Sequence, residues 1–185
     1  MQIVDLRSED EGGVHQAAGL LVAAFAEHWP NAWPNVESAL GEVRESFGPD
    51  RISRVAVDGS GTVLGWVGGI SQYDGNVWEL HPLVVRPDRQ GQGIGRSLVI
   101  DLEEQVRERG GITVFLGTDD EDDMTSLSGV DLYPRVWDHV AQIRNLRQHP
   151  FEFYKKLGYV IVGVVPDANG PGKPDILMAK RVGDV

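Results

Sequence analysis

Apolar and polar positions change period several times along this chain, and each change marks an element. Residues 2–7 alternate weakly, as a first strand would. Val14, Ala18, Leu21, Val22 and Phe25 then fall at helical spacing and predict a helix from Val14 to Phe25. The stretch Glu27-His28-Trp29-Pro30-Asn31-Ala32-Trp33-Pro34 interrupts the pattern with two prolines and two tryptophans and reads as an ordered loop. A second helix is expected from Val36 to Phe47. Ile52–Val57 and Thr62–Ile70 read as the arms of a hairpin joined by the turn signal Asp58-Gly59-Ser60-Gly61, and Asn76–Val85 as a further strand.

The clearest helix runs from Gly95 to Arg109. Ile94, Leu98, Leu102 and Val106 share one face, while Glu103, Glu104, Arg107 and Glu108 are assigned mostly outward. Gly110-Gly111 ends it, and Ile112–Leu116 reads as a short buried strand. The result is a strand–loop–helix–strand unit of expected right-handed crossover. Thr118–Tyr133 reads as a polar, acidic loop, Val136–Leu146 as a helix, and Pro150–Leu157 as a short helix ended by Gly158. Tyr159–Val165 and Ile176–Lys180 are two closing strands around the turn-rich Pro166–Pro174. No repeat or linker divides the chain, so a single domain over residues 1–185, of α/β (α+β) class, is expected.

Composition narrows the function. A length of 185 residues suffices for one full core, and no apolar run approaches the roughly 20 residues of a membrane span. The start Met1-Gln2-Ile3-Val4-Asp5 lacks the pattern of a signal peptide, and the chain has no cysteine for a disulfide, thiolate nucleophile or Cys-ligated metal. A cytoplasmic enzyme fits these features. The formal charge of −11 disfavours a nucleic-acid partner and suits a cationic substrate, although such a charge also serves solubility alone. The five histidines show no paired ligand spacing, so no metal is implied.

Candidate chemistry begins at Gln90-Gly91-Gln92-Gly93-Ile94-Gly95, which follows a strand and opens a helix. There, unpaired N–H donors and the positive end of the helix dipole attract a pyrophosphate, and glycines let it approach. A dinucleotide fingerprint would place G-x-G-x-x-G near the first strand, and a Walker loop would end in Gly-Lys-Ser/Thr; neither fits.

The spacing Gln-x-x-Gly-x-Gly resembles the coenzyme A loop of the GNAT (GCN5-related) N-acetyltransferases. The resemblance extends over nearly the whole chain and is nearest to the aminoglycoside 6′-N-acetyltransferases. It is carried by Trp78-Glu79-Leu80-His81-Pro82-Leu83-Val84-Val85, Gly110-Gly111-Ile112-Thr113, Leu116-Gly117-Thr118-Asp119-Asp120, His149-Pro150-Phe151-Glu152-Phe153-Tyr154-Lys155-Lys156-Leu157-Gly158-Tyr159 and Lys173-Pro174-Asp175-Ile176. It implies an acyl-CoA N-acyltransferase fold, with a mixed sheet of six to seven strands splayed in the middle and flanked by helices. It also implies acetyl transfer from acetyl-CoA directly to an amine, and a homodimer. The cofactor loop would extend through Arg96 and Ser97.

Individual residues carry two readings each. Pro82 removes a ladder donor, so it predicts a bulge or a splayed edge. The resemblance makes the Leu83 N–H the donor to the thioester carbonyl, with Val84 and Val85 as further backbone contacts. Glu79 and His81 have the same strand parity. Each is a solvated or structural residue or, by resemblance, Glu79 a ligand for substrate ammonium or a base through water, and His81 a second base candidate. Tyr154, otherwise a core aromatic, becomes the acid that protonates the departing thiolate. Asn145 and His149 stay unassigned. The run Asp119–Asp123 is either a solvated loop or a carboxylate rim for a polycationic amine, with Asp119 and Asp122 singled out by resemblance. Trp29 and Trp33 pack the core or wall the acceptor site. Another acceptor amine, or a coenzyme A sensor without transfer, remains an alternative.

Overall fold

The computed structural model describes residues 1–27 and 29–183; His28, in the tryptophan loop, lies outside the described residues. The chain runs β1 (Gln2–Asp5), α1 (Glu11–Phe25), α2 (Val36–Glu45), β2 (Arg51–Val57), β3 (Val63–Gln72), β4 (Val77–Val85), α3 (Ile94–Glu108) and β5 (Thr113–Asp119). It continues through α4 (Val136–Ala141), α5 (Phe151–Lys156), β6 (Val160–Val165) and β7 (Asp175–Arg181). The strands form one mixed seven-stranded sheet in the order β1-β2-β3-β4-β5-β7-β6, flanked by helices. Two compact units make up the chain: Met1–Val114 with the residues from Val182 onward, and Phe115–Arg181.

In the first unit, β1 to β4 pair antiparallel in chain order. The cross-strand neighbours Val55, Trp66 and Val84 join Val14, Ala17, Ala18 and Leu21 of α1 in one buried core. The alternate β3 positions point the other way, toward α3. A β-carbon on Gly65 would lie 2.9 Å from Leu98 Cδ1, and one on Gly69 2.9 Å from Leu102 Cδ1, so α3 packs directly on bare backbone. Burying leucines of this kind contributes about 1.5–3 kcal/mol each.

Helix boundaries follow the caps rather than the apolar stripe. The Asp10 carboxylate accepts the Gly13 N–H at 2.9 Å, so α1 begins at Glu11, three residues before the apolar pattern starts. Along α3 the expected buried stripe is present, but Glu103 is also buried, at 5% exposure, contrary to its outward assignment. Val99, Glu103 and Val106 form a second buried row beside the first.

In the second unit, β6 and β7 pair antiparallel. Strand β5 runs on to Asp119, past the expected end at Leu116, because Thr118 continues the buried alternation of Val114 and Leu116. The expected helix Val136–Leu146 stops at Ala141. The backbone that would continue it is bound elsewhere: Arg144 N–H donates to Ser126 Oγ, and the Leu146 and Arg147 N–H groups to the Met124 carbonyl. The segment Thr118–Tyr133, read as a polar, acidic loop, buries Asp120, Met124, Thr125, Leu127 and Leu132.

Candidate active site

Strand β4 carries the first part of the site. Val67 pairs with Leu83 and Gly69 with Leu80, so one β3 residue, Gly68, faces two β4 residues, His81 and Pro82. This is the bulge that a proline inside a strand required. A side chain at Gly68 would overlap the His81 carbonyl. The Arg86 N–H donates to the Leu64 carbonyl at 2.9 Å, which makes that opposed pair a hydrogen-bonded one. Antiparallel alternation then bonds Val84 to Trp66 and turns the N–H groups of Leu83 and Val85 away from β3. The backbone of Val84 is therefore committed to the β3 ladder, and its side chain is 2% exposed.

Glu79 lies opposite Ile70 and is half-buried, whereas His81 is exposed. Ile70 and His81 line a small cleft together with Glu42, Glu45, Ser46, Arg51 and Gly69. The Glu42 carboxylate stands 3.6 Å from His81 Nε2, and the Trp33 ring is centred 6.1 Å from the imidazole. Trp33 meets Phe25 edge-on at 4.7 Å, and Phe25 in turn contacts Trp29 at 5.6 Å. Trp33 thus packs at the edge of the core with one side toward His81. Glu42 was not identifiable beforehand, since on α2 it reads as one more outward carboxylate.

The glycine loop opens α3 through two residues in left-handed backbone. Gly91 and Gly93 have φ of 74° and 85°, and a β-carbon on either would meet nothing within 4 Å. Gly93 caps α3 without a side-chain bond, and the first turn carries no acidic residue. The opening N–H groups of the helix therefore face outward without a competing carboxylate. Gly95 lies inside α3, so its freedom is not needed for a turn. Gln90 Nε2 reaches the Val85 carbonyl at 3.5 Å and ties the loop back to β4.

In the second unit, Tyr154 is 8% exposed and contacts Phe153 and Tyr159 edge-on, at 5.0 and 5.6 Å. Its hydroxyl has no hydrogen-bond partner among the described residues. Burial pushes its pKa above the ordinary phenol value. Asp119 is half-buried, and its carboxylate accepts from Asn169 Nδ2 at 2.5 Å. Asp120 turns inward, is fully buried, and accepts the Met124 and Thr125 N–H groups at 2.7 and 2.8 Å. Asp122 is exposed, and its carbonyl lies 3.4 Å from Arg147 Nη1. The acidic run is therefore neither uniformly solvated nor uniformly a rim. Asn169, in the turn after β6, had no distinguishing pattern in the sequence. Among the described residues, no group of three or more His, Asp or Glu is arranged to hold a metal ion.

The acetyltransferase (GNAT) family matches residues 18–135, more than half of the chain. The chain belongs to the GNAT family. Its members use acetyl-CoA, and this GNAT protein is an acetyltransferase. It is similar to an aminoglycoside 6′-N-acetyltransferase solved in complex with coenzyme A, with 46% identity, 98% of this chain and 97% of that one covered, and a TM-score of 0.89. An aminoglycoside 6′-N-acetyltransferase from Enterococcus faecium gives the same identity and coverage and a TM-score of 0.88. An aminoglycoside 6′-acetyltransferase type Ii is 38% identical over 98% and 97% of the two chains, with a TM-score of 0.74. Comparison with curated proteins returned no match.

Proposed function

We propose that this GNAT protein transfers acetyl from acetyl-CoA to the 6′-amine of an aminoglycoside. The observation that carries the reading is 46% identity, over nearly the full length of both chains, to an aminoglycoside 6′-N-acetyltransferase solved with coenzyme A. A formal charge of −11 and carboxylates at Glu79, Asp119 and Asp122 suit a substrate bearing several ammonium groups. The two compact units act together as one acetyltransferase domain over residues 1–185 in this reading.

Acetyl-CoA supplies an acetyl group activated as a thioester. The α3 cradle, Gln90–Ser97, binds the pyrophosphate through backbone N–H groups. The Leu83 N–H, turned away from β3, donates to the thioester carbonyl and favours its negative charge as the amine attacks; the Val85 N–H contacts the pantetheine arm. Glu79 holds the ammonium or removes its proton through water, and His81 stands beside it with Glu42 as partner. Tyr154, kept protonated by burial, gives its proton to the departing sulfur. Asp119 and Asp122 bind further ammonium groups, and Trp29 offers a face to a sugar ring.

Turnover with kanamycin, spermidine and peptides, with product regiochemistry read by NMR, tests the reading. Acetylation at the 6′-amine is expected; acetylation of another amine with none on any 6′-amino aminoglycoside overturns it. Glu79→Ala should raise the aminoglycoside KM or lower kcat, and unchanged values of both remove its role.

A homodimer and a cytoplasmic location belong to the same proposal. Strand β6 ends the sheet and exposes Val160, Val162 and Val165, an apolar edge that a second copy would cover. No described helix is long and apolar enough to cross a membrane. Light scattering should report twice the chain mass, and Val162→Lys should shift it toward the monomer.

A further inference from the structure

His149 is 1% exposed and uses both ring nitrogens. Nδ1 accepts the Phe151 N–H at 3.2 Å, so it carries no proton. In the neutral ring the proton then sits on Nε2, which donates to the Asp119 carbonyl at 3.1 Å and has Thr118 Oγ1 at 3.5 Å. Burial lowers the pKa of His149, outweighing the nearby Asp119 and Asp120, and keeps the ring neutral. The backbone is fixed as well: Asn145 Oδ1 accepts the His149 N–H at 2.8 Å and Asn145 Nδ2 donates to its carbonyl at 2.9 Å.

Each end of this arrangement holds a residue of the proposed reaction. Helix α5 has only six residues, too few to persist unsupported, and its N-cap, Pro150, makes no side-chain capping bond. Nδ1 of His149 supplies the missing acceptor at Phe151, the first residue of the helix that carries Tyr154. At the other end, the Asp119 carbonyl is held by Nε2 while Asn169 holds its carboxylate, so both parts of Asp119 are oriented.

We propose that His149 is a positioning residue: its imidazole clasps the end of β5 to the start of α5, and so orients Asp119 for the acceptor amine and Tyr154 for proton transfer. The inference rests on the roles proposed for Asp119 and Tyr154.

Two variants separate the ends of the clasp. In His149→Asn the amide oxygen can replace Nδ1 and keep the cap, while the Asp119 bond is lost. In His149→Gln the amide nitrogen can replace Nε2 and keep the Asp119 bond, while the cap is lost. His149→Asn should raise the kanamycin KM about tenfold with kcat near wild type, and His149→Gln should lower kcat about tenfold with KM near wild type, each the loss of one hydrogen bond. Parallel falls in kcat and rises in KM that follow the drop in Tm in both variants would make His149 a core residue only and overturn the proposal. In a Tyr154→Phe background the kcat effect of His149→Gln should vanish, and its persistence also overturns it. Nitrogen NMR of the wild-type imidazole should show the neutral ring protonated at Nε2, and a charged or Nδ1-protonated ring at pH 7 overturns the clasp even if neither variant folds. Wild-type kinetics of both Tyr154→Phe and Asp119→Asn would instead show that the underlying roles are wrong, leaving the NMR result to judge the clasp itself.

Discussion

Gly68 of β3 faces His81 of β4 so closely that a β-carbon would overlap the His81 carbonyl and lie 3.4 Å from Pro82 Cδ. The obstacle is backbone, which has no rotamer to move away. Gly68→Ala should therefore cost about 1–3 kcal/mol of stability, the usual range for overpacking. Because the bulge sets the direction of the Leu83 N–H, kcat should fall as well. Urea midpoints and steady-state rates check both, and a fully stable variant with normal kcat would show that the bulge tolerates a side chain.

Gly93 is a different case, since nothing crowds its β-carbon and only its φ of 85° demands glycine. Gly93→Ala should cost about 1–2 kcal/mol from the left-handed backbone alone. A tilted cradle should raise the acetyl-CoA KM severalfold while leaving the aminoglycoside KM near wild type. Calorimetric titration with coenzyme A measures the first effect directly.

Asp120 and Asp123 are three residues apart, yet substitution should cost stability at the first and almost none at the second. Asp120→Ala leaves two buried N–H donors, at Met124 and Thr125, without an acceptor and should lower stability by about 2–5 kcal/mol. Asp120→Asn keeps one acceptor oxygen and should cost less. Asp123 is exposed, and Asp123→Asn should change the stability measured by urea unfolding by no more than about 0.5 kcal/mol.

Tyr154 makes stability depend on alkaline pH. Its folded pKa is raised by burial, so in the unfolded chain the phenol ionises first, near 10. Above that pH the unfolded state binds fewer protons, and stability falls as pH rises; below about 9 the group contributes no pH dependence. Unfolding midpoints from pH 8 to 11 should decline less steeply in Tyr154→Phe than in the wild type. The same variant should bind acetyl-CoA normally and keep only a small, measurable fraction of the turnover; unaltered turnover would remove Tyr154 from the reaction.

Much of the fold was legible because it rests on local rules. The period of Ile94, Leu98, Leu102 and Val106, the turn at Asp58–Gly61 and the proline inside β4 each act over a few residues. Where the reading failed, a distant partner overrode local preference. The stretch Gln142–Leu146 has a helical pattern, yet its backbone is claimed by Met124 and Ser126. Glu103 looks like any surface glutamate until the packing of α3 on the sheet covers it.

By itself the sequence determined the order of elements, the glycine-rich turn that opens α3 and membership of the GNAT acetyltransferases, since these depend on residue type and short spacing. Only the tertiary structure decided which of five adjacent acidic residues turns inward, that Glu42 stands beside His81, and that His149 holds Asp119 on one side and Phe151 on the other. Hydrogen bonds and ion pairs act over about 3–4 Å, and the separation of their partners along the chain, 39 residues for the ion pair of Glu42 and His81 and 30 for the hydrogen bond of His149 and Asp119, carries no trace of that closeness.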